Sequence, residues 1–408
     1  MLMRPVIGLE VHIHLKTRSK LFCGCSTDYI GAVPNSNVCP VCLGLPGSLP
    51  VTNARAVDLA VTAGLALGGE IAQASRFHRK NYFYPDLPKA YQITQYDRPL
   101  SVGGGVAIRI DGGEKWIRLT RLHMEEDAGK LVHGASDGRL ADAAYSLVDY
   151  NRAGFPLAEI VSEPDMASPQ EARAYVEELR RIVRYLDVSD GDMEDGSLRV
   201  DANISLTRPD GSLGTKAEIK NVNSLRALER ALTYEIDRQR EILEAGGEVA
   251  GETRHWDDGA GITRSSRSKE EAHDYRYFPE PDLPPLILSR ERIEAIRASL
   301  PELPGAKRDR YAREWDLSEE EIDTLTERRG TAEYFEATVR AGAEPKRASN
   351  WVRTEILRVA NERGCGVEGV PVSPEDLGEL IRRVEARALS ATAAKDVLSR
   401  LVGGMDLK

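Results

Sequence analysis

An acid and two imidazoles alternate near the start of the chain. In "GLEVHIHL" (8–15), Glu10, His12 and His14 interleave with Leu9, Val11, Ile13 and Leu15. Successive side chains of an extended strand point to opposite faces, so one face is apolar and the other carries groups able to ligate a metal or move a proton. The pattern recurs. "RLTRLHMEED" sets Arg121, His123 and Glu125 against Leu122, Met124 and Glu126; "RVDANISL" sets Arg199, Asp201 and Asn203 against Val200, Ala202 and Ile204. "TKAEIKN" sets Lys216, Glu218 and Lys220 against Ala217 and Ile219, and "FPLAEIVSEPD" places Glu159 inside an apolar run, ahead of Glu163 and Asp165. A solvated sheet face accounts for one such strand. Four of them, carrying His, Asp and Asn beside the usual Lys and Glu, point to a hard divalent ion such as Mg²⁺, which uses few protein ligands and keeps water and phosphate oxygens.

Neither G-x-x-x-x-G-K-[ST] nor G-x-G-x-x-G occurs, so a nucleotide would be held by metal-bridged phosphates and basic side chains, not by a glycine cradle. "RKNYFYPDLPKAYQITQYDRPL" (79–100) supplies Lys80, Lys89 and several tyrosines among prolines. It reads as a loop whose polar-aromatic mix also suits an aminoacyl end.

Four of the five cysteines lie between positions 23 and 42: "CGC" (Cys23, Cys25) and "CPVC" (Cys39, Cys42). Two close pairs on turns can converge tetrahedrally on Zn²⁺, and four protein ligands leave no open position, so the expected site is structural. Cys365 stands alone and reads as a packing residue.

The elements that must position these groups follow from pattern. Val106–Ile110 and the alternating run after Asp111-Gly-Gly113 read as a hairpin, as do 199–206 and 214–222 joined by "TRPDGSL". Ser168-Pro169-Gln170-Glu171 is a capping-box sequence opening an amphipathic helix; Ser224 and Asn53 open two more. Residues 244–282 read as an irregular polar excursion and a boundary. Beyond it, Glu, Arg, Ala and Leu dominate with helical spacing. The expectation is an α+β fold: an antiparallel-sheet domain with interspersed helices over 1–289, including a zinc loop at 23–42, then an all-α domain over 290–408.

A formal net charge of −10 argues against sequence-blind coating of nucleic acid, which depends on neutralising many phosphates. The N-terminus "MLMRPVIGLE" has no signal-peptide core and no apolar run is long enough for a bilayer, so a cytoplasmic chain with no membrane partner is expected.

Seven stretches together carry a specific resemblance: "VIGLEVHIHLKT", "RKNYFYPDLPKAYQITQYDRPL", "RLHMEEDAGK", "VDYNRAGFPLAEIVSEPD", "GSLRVDANISL", "GTKAEIKNVNS" and "DYRYFPEPDLPPL". The chain resembles the B-subunit family of bacterial aspartyl/glutamyl-tRNA amidotransferases (GatB) through nearly all its length. The resemblance implies a cradle domain that uses ATP to phosphorylate the side-chain carboxylate of Glu or Asp misattached to tRNA(Gln) or tRNA(Asn). Ammonia, released from glutamine by the amidase (GatA) partner, then displaces phosphate, and a small third protein (GatC) completes a heterotrimer. The resemblance also implies a tail domain contacting tRNA, whose start would fall near "RLVGGMDLK", so the tail is expected to be absent.

Carried over motif by motif, the Mg²⁺ role falls on Glu10, His12, Glu125 and Glu218, with Glu126 and Glu159 as further candidates. Lys80, Lys89, Arg199 and Lys220, with Glu159, are the expected catalytic groups, stabilising phosphate or the substrate carboxylate. Zn²⁺ is assigned to Cys23, Cys25, Cys39 and Cys42 because this chain has all four. Lys346, Arg347 and Arg353 on the helical part are the expected tRNA contacts. The alternatives are a free-standing ATP-dependent ligase and a non-catalytic, zinc-stapled tRNA-binding component. Carboxylates facing the interior distinguish catalysis from mere binding, since a binder has no need of Glu10 and His12.

Overall fold

A computed structural model describes residues 3–110, 112–134, 143–208, 211–268 and 272–404. The chain divides into two compact units, Met1–Leu300 and Pro301–Lys408.

The first unit is built on one large sheet. Along its main path the strands run Ile262–Ser268, Glu252–Asp257, Ala217–Val222, Leu198–Leu206, Pro5–His14, Pro156–Ser162, Gly113–Glu126, Tyr91–Gln95, Phe77–Asn81 and Phe278–Pro279. Neighbours on this path are antiparallel except Ala217–Val222 with Glu252–Asp257, which are parallel. The opening strand is central because both of its edges are paired, which is tolerable only for a strand with one continuous apolar face. Ile7, Leu9, Val11 and Ile13 supply that face and are buried in the core.

Three helices cover the apolar side. Asn53 caps Ala54–Ala66, Ser168 caps Pro169–Tyr185 and Ser224 caps Leu225–Glu244, each side chain accepting from a backbone N–H of the first turn. The box expected at 168–171 is half formed: Glu171 N donates to Ser168 Oγ, but Glu171 Oε2 accepts from Ala167 N instead of returning to the cap. Ala172, Tyr175, Val176, Leu179 and Val183 present the buried stripe of the second helix, with Leu228, Ala231, Leu232 and Ile236 on the third.

Both expected hairpins pair as antiparallel strands: Gly105–Ile110 with Gly113–Glu126, and Leu198–Leu206 with Ala217–Val222. Asp111 of the first turn, and Pro209 and Asp210 of the second connection, lie outside the described residues, as do the last four of the chain.

Two expectations need correction. Residues 244–282 are not simply irregular, because Glu252–Asp257 and Ile262–Ser268 extend the sheet and bury Trp256. Their polar sequence hid this, since a strand near a sheet edge has little apolar area to cover. The helix Arg290–Ser299, which the composition shift places in the helical domain, belongs to the first unit. Arg292 donates to Asp58 (2.7 and 2.9 Å) and Ile293 enters that core.

The second unit contains only helices among its described residues, from Pro304–Trp315 to Ala391–Val402. Its core gathers Tyr311, Leu325, Phe335, Val352, Ile356, Leu377, Leu380 and Ile381. Between Pro345–Trp351 and Leu357–Glu362 the helix widens to a π turn over Val352–Ile356.

Candidate active site

Sheet register brings the alternating polar residues into contact. Glu10 stands opposite Asp201 on one side; His12 stands between Arg199 and Glu159; Glu159 in turn faces His123. Asn203 faces Glu218 and donates from Nδ2 to Glu10 Oε1 at 3.0 Å. These side chains floor a hollow of about 920 Å³ whose lining includes Lys80, Glu125, Asp127, Lys220, Tyr275 and Tyr277.

Two ligand groups occupy it. In the first, donor atoms of His12, Glu125 and Glu159 all lie within 4.8 Å of one another. His12 Nε2 is 3.4 Å from Glu125 Oε1 and 3.4 Å from Glu159 Oε2. Burial pulls the His12 imidazole down, but its two carboxylate partners outweigh that and carry it up to about 10. Burial likewise opposes ionisation of Glu125 and Glu159, yet His12, with His123 beside Glu159, holds both below the usual carboxylate range. This end of the hollow favours positive charge.

His123 is oriented by its neighbours. Arg121 Nε donates to its Nδ1 (3.3 Å), which leaves Nε2–H to reach Glu159 Oε2 at 3.3 Å.

In the second group, Glu10, Asp201 and Glu218 converge within the same 4.8 Å limit. Burial, then the charges of Glu159, Asp201 and Glu218, raise the Glu10 carboxyl, against the lowering influence of Lys220. Three carboxylates crowded at this spacing repel one another, and a divalent cation bound by oxygens relieves that repulsion. The donor set therefore fits Mg²⁺ at either group. The sequence puts Asp201 on the polar face of "RVDANISL" without marking it as a ligand. Its register against Glu10 is the observation that recruits it.

The cations stand around these groups. Lys220 pairs with Asp201 and lies 3.5 Å from Glu218. Arg199 Nη2 reaches Asp127 Oδ1 at 2.8 Å. The Lys80 ammonium sits 4.7 Å from the Tyr275 ring centroid and 5.4 Å from that of Tyr82.

Asp127 is the main residue that sequence reasoning missed. It also accepts from Arg152 Nε (3.3 Å) and is 2.9 Å from His14 Nε2. Burial would raise its carboxyl, but Arg152, Arg199 and His14 hold it well below the ordinary value. It lies just past the end of its strand, where alternation no longer says which way a side chain points. Tyr275 and Tyr277 escape notice in the sequence because they come from a segment that reads as a boundary.

Glu126 and Lys89 do not join this hollow. Glu126 follows Glu125 in the same strand, so its side chain leaves by the opposite face, pairs with Lys89 and accepts from Ile93 N at 2.8 Å. Both line a separate cavity of about 190 Å³ beside Cys23 and Cys42.

The four cysteine sulfurs also lie within 4.8 Å of one another. A tetrahedral zinc–thiolate site has a sulfur–sulfur edge of about 3.8 Å, given Zn–S bonds near 2.3 Å, so the cluster fits zinc. Hydrogen bonding to Cys23, then the backbone at Cys39 and the Lys20 charge, outweigh burial and bring the Cys42 thiol down to about 4.

In the helical unit, the three expected tRNA contacts all have acidic partners. Lys346 pairs with Asp316 (2.9 Å), Arg347 with Glu385 (3.7 Å), and Arg353 with Glu320 (2.8 Å) and Glu321 (3.6 Å). The structure does not gather them into a basic patch of unopposed charge.

A family profile described as the GatB/GatE catalytic domain matches residues 5–294, and one described as a GatB domain matches 333–408. The chain is 53% identical over 398 residues to the B subunit of the aspartyl/glutamyl-tRNA(Asn/Gln) amidotransferase of Carboxydothermus hydrogenoformans, covering 97% of this chain and 82% of that one. Identity to the same-named protein of Thermosynechococcus vestitus is 54% over 404 residues, 97% and 80% of the two chains. For Thermoanaerobacter sp. it is 53% over 400 residues, 98% and 82%.

Proposed function

The chain belongs to the GatB family of amidotransferase B subunits, and on that premise we propose that its sheet hollow phosphorylates and then amidates the side-chain carboxylate of Glu-tRNA(Gln), Asp-tRNA(Asn) or both. It is the ligase-type component of an aminoacyl-tRNA amidotransferase. The observation that carries the residue assignment is the convergence of His12, Glu125 and Glu159 with Glu10, Asp201 and Glu218 on one hollow.

A carboxylate is a poor electrophile because its charge repels nucleophiles and it has no usable leaving group. Transfer of the γ-phosphoryl group of ATP to a carboxylate oxygen, with departure of ADP, removes both obstacles. Ammonia then attacks the acyl carbon, inorganic phosphate leaves and a proton is lost to give the amide. Such transfers depend mainly on positioning and charge neutralisation. Glu10, Asp201 and Glu218 would hold one Mg²⁺ and His12, Glu125 and Glu159 another. The bound ions supply charge neutralisation and orientation of phosphate oxygens.

The chain's own residues do the rest. Arg199, held by Asp127, and Lys220, held by Asp201, present fixed positive charge to phosphate oxygens. Lys80 stands over two tyrosines and close enough to Glu125 to lower its carboxyl, a position suited to the substrate carboxylate. His123 keeps Glu159 ionised and aimed at His12. The four cysteines hold a structural zinc ion.

Nothing in the sequence supplies a glutaminase nucleophile, so ammonia is assigned to the amidase partner, with the small third protein completing the assembly. No described helix is long and apolar enough to cross a membrane. A complex acting on substrates of translation works in the cytoplasm.

The test is reconstitution with the amidase and the small third protein, followed by ATP- and ammonia-dependent amidation of each mischarged tRNA. Absence of product from both tRNAs, with the partner still hydrolysing glutamine, would sink the assignment. The non-catalytic reading is disfavoured by the paired state of Lys346, Arg347 and Arg353 and by the buried ligand groups.

A further inference from the structure

Lys20 is fully buried, with none of its surface exposed to solvent. A buried ammonium costs several kcal/mol unless charge and hydrogen bonds compensate it. Among the described residues no carboxylate forms an ion pair with it. Its three N–H donors find three acceptors: Asn37 O at 2.8 Å, Tyr150 O at 3.3 Å and Cys42 Sγ at 3.7 Å. The last is an ordinary length for a donor to sulfur, and Cys42 is the most buried of the four cysteines.

We propose that Lys20 is the charge-matching and positioning residue of the cysteine centre, donating to the Cys42 thiolate and tying the centre to the turn at 150–155. This rests on reading the four cysteines as a zinc site. Four thiolates around a dication carry a net charge of −2, and a single buried ammonium halves it. An N–H donor on a bound thiolate also withdraws electron density from sulfur and opposes its protonation, the step by which a thiolate site loses its metal.

The tether has a destination. Leu21 N donates to Gly154 O at 2.9 Å, and Gly154 N donates to Asp127 O at 2.8 Å. Gly154 has φ +85°, and a Cβ there would stand 3.5 Å from both Cys42 Cβ and Lys20 Cδ. The same turn carries Arg152, which donates to Ala128 O (3.0 Å) and Gly129 O (2.7 Å). Lys20 thus joins the cysteine centre to the backbone that fixes Asp127.

The experiment follows zinc release from the full chain into a chromophoric chelator for wild type, Lys20→Met and Lys20→Arg. Cobalt(II) substitution provides an independent optical readout of the sulfur ligands. Lys20→Met is expected to release zinc about 10- to 100-fold faster, the range found when partners of metal ligands are lost. It should also shift the sulfur-to-cobalt charge-transfer band, with Lys20→Arg lying between. If Lys20→Met fails to fold, Lys20→Gln, which keeps a donor without the charge, takes its place with the same expectation. Unaltered release and an unaltered cobalt band in the neutral variant overturn the role of Lys20. A wild-type chain that binds neither zinc nor cobalt removes the cysteine centre itself and the proposal with it, a result told apart by the wild-type measurement alone.

Discussion

Glu125 and Glu126 are adjacent in the chain and serve opposite faces of one sheet. Glu125 lies 3.4 Å from His12 in the hollow, while Glu126 pairs with Lys89 behind it. Both are buried, so the pleat alone decides which acid can meet substrate.

Their amide variants should therefore fail differently. Glu125→Gln removes a metal-facing oxygen and should cut ATP-dependent phosphate release about 100-fold or more, while partner glutaminase activity persists. Single-turnover phosphate release with the reconstituted complex measures this. Activity at the wild-type level would exclude Glu125 from the metal set.

Glu126→Gln should instead cost stability, roughly 3–5 kcal/mol, because it leaves the buried Lys89 ammonium uncompensated. Pairing it with Lys89→Met should recover part of that loss, as read by urea denaturation of the four proteins of the cycle. Strict additivity would mean that the pair is not coupled.

The second ligand group makes its own prediction. Glu10→Gln and Glu218→Gln should each raise the Mg²⁺ concentration needed for half-maximal phosphate release. Asp201→Asn should do so as well, although only register, not the sequence, points to it. A Mg²⁺ titration unmoved by all three would place the cation elsewhere in the hollow.

Asp127 holds Arg199, Arg152 and His14 without belonging to either ligand group. Asp127→Asn should destabilise the first unit by about 3 kcal/mol and raise KM for ATP as Arg199 loses its anchor. Thermal melts and steady-state kinetics together test this; a melt shift with an unchanged KM would assign Asp127 a purely structural part.

Acid sensitivity of the helical unit should centre on Glu336. It accepts from Lys307, from Arg310 Nη2 (2.5 Å) and from Tyr311 Oη (2.9 Å). Burial pushes its carboxyl up, but these donors prevail and hold it below the ordinary 4.5. A depressed carboxyl stabilises the fold fully above its unfolded value and loses that contribution as pH falls through the folded one. Stability should thus decline as pH drops below about 4.5, and Glu336→Gln should flatten that decline while lowering stability at pH 7. Equal slopes in the two proteins would remove Glu336 from the acid transition.

Much of this architecture follows from local chemistry and is readable without a fold. The alternation in 8–15, 118–127 and 199–206 has only one consistent backbone, an extended strand with an apolar and a polar side. Asn53, Ser168 and Ser224 announce helix starts because a short oxygen-bearing side chain is what an open N-terminus needs. The cysteine spacing announces a tetrahedral site because two close pairs on turns can meet at one ion. What the tertiary structure decided was which strands lie side by side and in what register. That choice set Glu10 opposite Asp201, drew Asp127 into the site, sent Glu126 and Lys89 behind the sheet, and recruited the polar run after residue 250 as further strands. Period-two alternation specifies faces within a strand; neighbours across strands depend on burying all the apolar faces at once, a condition no single stretch of sequence contains.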